Sequence, residues 1–229
     1  RRMNEKEKYY AHVASNTIHA ISKSMDSWTS FLSTMGRNYD FSYPEQVMIH
    51  AQRPNATLCK EFDDWREEKL RYVERGSKGI ALFVTDTERP HLRYVFDVAD
   101  TGERRNSLAL DELWTVEDRH RKPIQSALER VFGVEAKGTL EKQFEEVAQR
   151  LAKEYWEDKK HDLFDIVADS FLEGYDELNI EVAFKSAVAT SAAYALYSRC
   201  VEDPDVYFEQ EDFFHIFEFN TRKATNALG

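Results

Sequence analysis

Cysteine is scarce in this sequence and long apolar runs are missing, and both absences narrow the class of protein. The two cysteines, Cys59 and Cys200, fit no metal-binding or redox spacing, so we interpret them as buried thiols in a reducing environment. No apolar run approaches the roughly 18–20 residues that a membrane-spanning helix needs. The opening residues, RRMNEKEKYY, lack the apolar core of a secretory signal. We therefore expect a cytoplasmic protein without a membrane partner.

Signatures of catalysis are missing as well. The seven histidines include no pair four residues apart, which excludes the H-E-x-x-H zinc motif. The sequence also lacks the glycine-rich phosphate loops and the G-x-S-x-G nucleophile elbow. Two pairs have the four-residue spacing of helix neighbours: His161 with Asp165, and Glu211 with His215. A solvated helix face explains these pairs better than a metal site, so we expect no enzyme activity, no cofactor and no metal.

Charge is unevenly distributed along the chain, whose formal net charge is −11. Residues 139–229 contain 9 Lys and Arg against 20 Asp and Glu, whereas residues 1–138 contain 22 of each kind. The whole acidic excess therefore lies in the C-terminal part. A neutral part can still carry a basic face for nucleic acid, but the acidic part should repel phosphates. This asymmetry indicates two parts with different roles.

Hydrophobic spacing predicts three helices in the first third of the chain. The stretch DSWTSFLSTMG has apolar residues at helical intervals between a capping Asp and a capping Gly. A second helix begins after Ser42, which has capping-box spacing with Glu45, and it ends before Pro54. A short third helix is predicted around the stretch CKEFDDWREE, and we expect Phe62 and Trp65 to face inward.

The period of the pattern then changes from helix to strand. The segments RYV, IALFVT and LRYVFDV are rich in β-branched and aromatic residues, which predicts a small antiparallel sheet. We expect hairpin turns at Gly76–Gly79 and near Pro90. The stretch PIQSALERVFGV returns to helix and ends near Gly133.

Everything after Thr139 has a helical pattern. Leu140 begins an amphipathic helix, and IEVAFKSAVATSAAYALYSR is apolar on nearly all sides, which predicts a central buried helix. The fold class is therefore α+β: N-terminal helices with a small antiparallel sheet, followed by an all-helical C-terminal domain. The predicted boundary lies near Val134–Gly138, which gives an α+β domain over residues 1–135 and an acidic helical domain over residues 136–229.

Basic and aromatic side chains are interleaved between Arg53 and Arg93. Nine Lys and Arg residues share this stretch with Trp65, Tyr72 and other aromatic residues. Single-stranded nucleic acid is held by such a combination, because cations contact phosphates and aromatic faces stack on bases. Asp and Glu are equally frequent there, however, so a solvated hairpin of mixed charge would look the same.

Several short motifs occur in a characteristic order: W-x-x-F-L at Trp28–Leu32, N-Y-x-F-S at Asn38–Ser42, A-Q-R-P-x-A-T at Ala51–Thr57, D-W at Asp64–Trp65 and R-G-x-K-G-I-A at Arg75–Ala81. Together they resemble the N-terminal domain of ArdC-type antirestriction proteins. That family domain binds single-stranded DNA and occurs on conjugative plasmids and integrative elements. The resemblance therefore implies single-stranded DNA binding in a mobile-element protein.

The rest of the chain departs from the ArdC pattern. In that family a zinc-metallopeptidase-like domain follows, but no H-E-x-x-H motif occurs here, so a peptidase role is not carried over. Residues 184–208 and 211–221 resemble a region of very large mobile-element proteins that also contain Swi/Snf-type helicase and N-6 adenine DNA methylase regions. We interpret the chain as a piece of such a protein, and its helical part as a relative of the peptidase domain without the metal site.

Nine residues are the candidate DNA-binding set. We expect phosphate contacts from Arg53, Arg71, Arg75 and Lys78, base stacking from Tyr43 and Tyr72, and hydrogen bonds from Gln52 and Asn55, with Gln46 completing the set. An ion pair with a local acid such as Asp63 or Asp64 explains Arg53 equally well. For Trp28 and Trp65, core packing is a better explanation than stacking on bases.

Two other classes of function remain open. The acidic helical part could dock a restriction enzyme, or the helicase or methylase region of the parent protein, and exposed Phe213, Phe214 and Phe217 would favour such a protein partner. A metal enzyme with an unrecognised site is the third class, and it predicts bound zinc in the purified protein.

Overall fold

The computed structural model describes residues 2–85 and 91–229. It divides into two compact units, which are described separately: the first contains Arg1–Thr17 and Thr34–Trp114, and the second contains Ile18–Ser33 and Thr115–Gly229. The boundary predicted near Val134–Gly138 lies inside the second of these units.

Within the described residues, four α-helices and five strands precede residue 115. The helices are α1 (Glu5–Ile21), α2 (Met25–Arg37), α3 (Tyr43–Gln52) and α4 (Phe62–Glu67). The strands are β1 (Cys59–Glu61), β2 (Tyr72–Val73), β3 (Ile80–Val84), β4 (His91–Asp97) and β5 (Thr101–Gly102). The predicted capping box starts α3: the Ser42 backbone N–H and hydroxyl both donate to a Glu45 oxygen, at 3.0 and 2.9 Å.

The strands form two antiparallel sheets. One has the order β1-β4-β3, and the other is a two-stranded ribbon in which Tyr72 pairs with Gly102 and Val73 with Thr101. The hairpin predicted at Gly76–Gly79 is therefore wrong, because β2 pairs with β5 and the ERGSKG loop connects two different sheets. A 3-10 turn at Val98–Asp100 is the cause, since it returns the chain alongside β2. The turn expected near Pro90 lies outside the described residues.

Helix α3 and the three-stranded sheet enclose the core of the first unit. Met48, Ile49, Leu82 and Val95 are buried there. Trp65 is also fully buried and donates its indole N–H to the Phe96 carbonyl at 2.9 Å, so the expected core role is confirmed.

The expectation for Phe62 is wrong, because this side chain is exposed. Phe62 is the first residue of the one-and-a-half-turn helix α4, and its ring only meets the Phe96 ring edge-on, with centroids 6.4 Å apart. Cys59 is buried, which raises the pKa of its thiol to about 12, and Cys200 is half-buried. Both are free thiols, so the predicted buried thiol is confirmed for Cys59 and only in part for Cys200.

The chain after residue 114 is helical in all its regular elements. It contains α5 (Asp118–Phe132), α6 (Leu140–Lys159), α7 (Leu163–Val167), α8 (Glu177–Cys200) and α9 (Arg222–Ala227), with 3-10 helices at Pro204–Tyr207 and Gln210–Glu218. A further 3-10 helix, Asp111–Leu113, comes before this part of the chain. The α+β class with a helical C-terminal half is therefore confirmed. None of the helices in the described residues combines the length and the apolar character needed to cross a membrane.

Helix α8 is the centre of the second unit, as predicted from its apolar sequence. It packs against α6 and the longer 3-10 helix, and it buries Phe184 and Tyr197 completely. Trp28 of α2 donates its indole N–H to the Ser191 hydroxyl of α8 at 3.0 Å in the buried interior. Core packing is therefore confirmed for Trp28.

Aromatic residues of the Gln210–Glu218 helix only partly match the expected exposure. Phe213 is fully buried, Phe217 is half-buried, and only Phe214 of the three is exposed. Phe213 is buried because its ring packs against Tyr194 and Phe208, with centroids 5.9 and 5.8 Å away.

Candidate nucleic-acid interface

The ribbon of β2 and β5 presents an aromatic ring on a flat support. Tyr72 lies directly opposite Gly102, and its side chain is 44% exposed. The ring rests on the backbone of Gly102 so closely that a Cβ there would lie 2.2 Å from the Tyr72 Cζ. Because glycine lacks that atom, the ring can lie on the neighbouring strand while staying accessible to a ligand.

Two cations lie on the loop that leaves β2. Arg75 and Lys78 are exposed, and neither side chain has a partner within residues 2–85 and 91–229. The loop backbone is held in place: the Glu74 N–H donates to the Asp100 carbonyl at 2.8 Å, and the Ser77 N–H donates to the Glu74 carbonyl at 3.1 Å. The loop therefore has a fixed backbone and two cationic side chains available for a ligand.

Two further cations, which the sequence analysis did not identify, follow β5. Arg104 and Arg105 are exposed and likewise have no side-chain partner in the described part of the chain. Ser107 anchors their loop, because its hydroxyl accepts from the Arg104 N–H at 2.7 Å and donates to the Leu70 carbonyl at 2.9 Å. The sequence signal for this site would have been two adjacent arginines shortly after a strand. Strand β5 has only two residues, however, so the sequence shows no strand pattern there.

The two pairs of cations lie at opposite ends of the ribbon. In the antiparallel register, Arg104 falls opposite the residue two places before Tyr72, whereas Arg75 lies three places after it. The two loops therefore leave the ribbon at opposite ends, and the pair of Tyr72 and Gly102 lies between them in the register. Two exposed carboxylates lie next to these cations: Glu74 precedes Arg75, and Glu103, which pairs with Arg71, precedes Arg104. The ribbon thus combines one stacking surface with cations at both ends.

Arg71, predicted to contact phosphate, is buried within the ribbon. Its guanidinium donates to the Thr101 hydroxyl and to a Glu103 carboxylate oxygen, both at 2.9 Å. These hydrogen bonds therefore hold β2 against β5 and keep in place the strand on which the Tyr72 ring rests.

Arg53 and Gln52 also make internal contacts. The Arg53 guanidinium forms an ion pair with Asp100, and this hydrogen bond raises the pKa of Arg53. The acid is thus Asp100 and not the expected Asp63 or Asp64. The Gln52 amide both donates to the Ala81 carbonyl and accepts from the Ala81 N–H, at 2.9 Å each. These contacts tie the end of α3 to the sheet and, through Asp100, to the loop that carries Arg75.

The remaining three predicted residues lie elsewhere on α3 or just after it. Gln46 is buried and donates to the Asn38 carbonyl at 3.0 Å. Tyr43 is half-buried in the first turn, about 13 Å along the helix axis from Gln52 at about 1.5 Å per residue. Asn55 is exposed in the turn after α3. The structure therefore does not bring Tyr43 and Gln46 to the end of α3 that meets the ribbon loop.

A separate cleft of about 150 Å³ in the first unit has balanced charge. Its lining includes Lys60 and Arg93. Arg93 donates to Glu45 and Glu61 at 2.6 Å each, and Lys60 pairs with Glu68 and Glu112 at 3.4 Å each. Cations that are already neutralised by carboxylates make a weaker anion site than those of the ribbon.

The described residues contain no group of three or more His, Cys, Asp or Glu side chains placed to hold a metal ion. Comparison of the chain with models of protein families, with curated proteins and with solved structures finds no match. The resemblance to ArdC-type proteins therefore stays a prediction from the motifs, and the case for the ribbon rests on its own geometry.

Proposed function

We propose that the first unit binds single-stranded DNA along the ribbon of β2 and β5, without catalysing a reaction on it. The observation that supports this most strongly is the exposed Tyr72 ring, held on Gly102 between cations at both ends of the ribbon. Arg75 and Lys78 contact phosphates at one end and Arg104 and Arg105 at the other, while a base stacks on Tyr72.

Single strands are favoured over duplex DNA by this arrangement. A base can stack on Tyr72 only when its face is free, and in a duplex both faces are already covered by neighbouring base pairs. Four cations with no carboxylate partner provide attraction that is independent of sequence, so little base preference is expected.

The ArdC-like motifs support a cellular context for this activity. They are consistent with binding to the DNA strand that enters a recipient cell during conjugative transfer, inside the cytoplasm. Restriction enzymes, or the helicase or methylase region of a larger parent protein, would then act near the same DNA.

Fluorescence anisotropy with a labelled single-stranded oligonucleotide tests the proposal. Unlabelled single strand should compete much better than duplex of the same sequence. If the four exposed cations each contact a phosphate, log Kobs should fall against log salt with a slope of about −3, since each phosphate contact on a single strand contributes about −0.7. Replacing Arg75 and Lys78 by Gln should reduce that slope by about half.

A matched control removes two positive charges from the second unit. Lys122 and Arg130 are exposed on α5 and, within the described residues, have no side-chain partner. The Lys122→Gln/Arg130→Gln variant should bind the oligonucleotide like the wild type. Equal losses in both double variants, or no binding at low salt, would exclude the ribbon as a DNA site.

A further inference from the structure

The segment from Asp162 to Val182 in the second unit combines acidic charge with exposed apolar side chains. It contains seven Asp and Glu residues and no Lys or Arg. Five large apolar side chains in it are between 49% and 69% exposed: Phe164, Phe171, Tyr175, Leu178 and Val182. We call residues 162–182 the acidic apolar segment.

The backbone of the acidic apolar segment is firmly attached to its unit. Other side chains of the same segment enter the core, since three of its apolar residues are buried: Leu163, Leu172 and Ile180. The Phe171 N–H donates to the Asn220 side-chain oxygen at 2.8 Å, and the Leu172 N–H donates to the Ser170 hydroxyl at 3.1 Å. The exposed side chains are therefore presented from a folded backbone and do not belong to a fraying end.

Part of the exposed apolar surface lies on one face of a helix. Leu178 and Val182 are four residues apart on α8, which makes them neighbours on its surface. Tyr175 lies just outside the helix, before Asp176, which caps it by accepting from the Asn179 N–H at 2.8 Å. Single exposed apolar residues are common, but five large ones within 21 residues of sequence are typical of a surface for a partner.

The charge around this surface restricts the partner. Within the described residues, Glu181 is the only one of the seven acids in an ion pair, with Lys185. The other six carboxylates can pair with cations of a partner and would repel DNA or an acidic peptide.

We propose that the acidic apolar segment docks a basic amphipathic helix of a partner protein. The apolar side chains of that helix would cover Phe171, Tyr175 and Leu178, and its Lys and Arg residues would face the surrounding carboxylates. This docking is independent of the DNA proposal, because it involves a different unit and the opposite sign of charge.

The probe is a labelled peptide of about 18 residues, five helical turns, built from Leu and Lys at amphipathic spacing. A scrambled peptide of the same composition keeps the charge but loses the apolar face, and it should bind at least about tenfold more weakly. The Phe171→Ser/Leu178→Ser variant should lose about tenfold or more in affinity for the amphipathic peptide, as expected when two apolar contacts are removed. Anisotropy of the peptide measures each affinity.

A matched control changes two equally exposed apolar residues outside the segment. Val131 and Val206 are 66% and 71% exposed, and the Val131→Ser/Val206→Ser variant should bind the peptide within about twofold of the wild type. The charge component is tested separately by Asp169→Asn/Glu173→Gln, which should weaken binding and reduce its salt dependence. Asn is suitable at position 169 because the backbone there has a φ of +64°, which Asn tolerates.

Three results would overturn the proposal. Equal binding of the amphipathic and scrambled peptides would show charge attraction without docking. Unchanged binding by the Phe171→Ser/Leu178→Ser variant would show that the peptide binds elsewhere. Self-association of the wild type in sedimentation, abolished by that same variant, would show that a second copy of the chain covers the surface.

Discussion

The ring of Tyr72 occupies the space that a side chain at position 102 would need. A Cβ on Gly102 would approach the Tyr72 Cζ to 2.2 Å and its hydroxyl oxygen to 2.3 Å, distances that no real contact permits. The position of the ring therefore depends on the absence of a side chain on the opposite strand. A side chain introduced at position 102 should therefore displace the Tyr72 ring, although the tyrosine itself is unchanged.

Replacement of Gly102 by Ala should weaken single-stranded DNA binding about as much as Tyr72→Ala does. The added methyl group forces the ring off the strand, and loss of one base-stacking contact costs about 1–3 kcal/mol, or roughly five- to 150-fold in affinity. Anisotropy titration measures this loss. Phe62→Ala is the control, because Phe62 is a similarly exposed aromatic residue whose neighbours include Asp63 and Asp64. A Gly102→Ala protein that binds normally would argue against Tyr72 as a stacking surface.

The Arg53→Gln variant separates support of the loop from direct contact with DNA. Loss of the guanidinium leaves the mostly buried Asp100 carboxylate without its cation, so the free energy of unfolding, measured by urea denaturation, should fall by about 1–3 kcal/mol. The salt dependence of DNA binding should keep its wild-type slope, unlike that of the Arg75→Gln/Lys78→Gln variant. A slope reduced by about 0.7 would instead mean that Arg53 contacts a phosphate itself.

The buried hydrogen bond between Trp28 and Ser191 should be a measurable part of the stability of the second unit. Ser191→Ala leaves the indole N–H without an acceptor in the interior, at a cost of about 1–3 kcal/mol in the free energy of unfolding. Ser198→Ala on the same helix removes a hydroxyl that donates to the Ala195 carbonyl. That control leaves no buried donor unpaired, so it should cost less than about 0.5 kcal/mol.

His50 should make the first unit less stable in mild acid. Burial and, secondarily, the nearby Arg37 charge lower the pKa of His50 from its usual value near 6.5. The unfolded chain therefore binds this proton more readily than the folded chain, and the free energy of unfolding falls as pH drops below about 6.5. Urea denaturation at a series of pH values measures the decline.

The contribution of His50 can be isolated with His50→Gln, which has no titrating ring. The difference in unfolding free energy between wild type and variant should change between pH 7 and the lowered pKa of His50, and should then level off. Carboxylates titrate at lower pH. For example, burial works to raise the pKa of Glu141, but the hydrogen bonds and charge of Arg121, together with hydrogen bonds from the backbone and Thr139, lower it. A difference that does not vary with pH would show that His50 has the same pKa in both states.

Local signals in the sequence predicted much of the fold. The capping pair Ser42 and Glu45 starts α3, and Gly133 ends α5 in the left-handed conformation, with a φ of 65°. Such features depend on residues within one helical turn of each other, so they can be recognised from sequence. The pairing of β2 with β5 could not, because two-residue strands show no alternation and their partners are about 30 residues apart.

The same limit applies to the candidate interface. The exposure of Arg75 and Lys78 could be predicted, because they lie in a loop that contains two glycines. The internal contacts of Arg53 and Gln52 could not be predicted. Their partners are 47 and 29 residues away in the sequence, so only the folded chain shows that these polar groups are already occupied. Arg71 was misleading for the same reason, since Thr101 and Glu103 come close to it only when the ribbon forms.

The paired hydrogen bonds between the Gln52 amide and Ala81 have one more consequence. Strand β3 is the outermost strand of its sheet on that side, and its outward N–H and carbonyl groups could pair with a strand of another molecule. The Gln52 side chain fills one such position with the donor and the acceptor that an incoming strand would offer. A single glutamine thus occupies one hydrogen-bonding position of the sheet edge, and this position is no longer available for edge-to-edge pairing with another molecule.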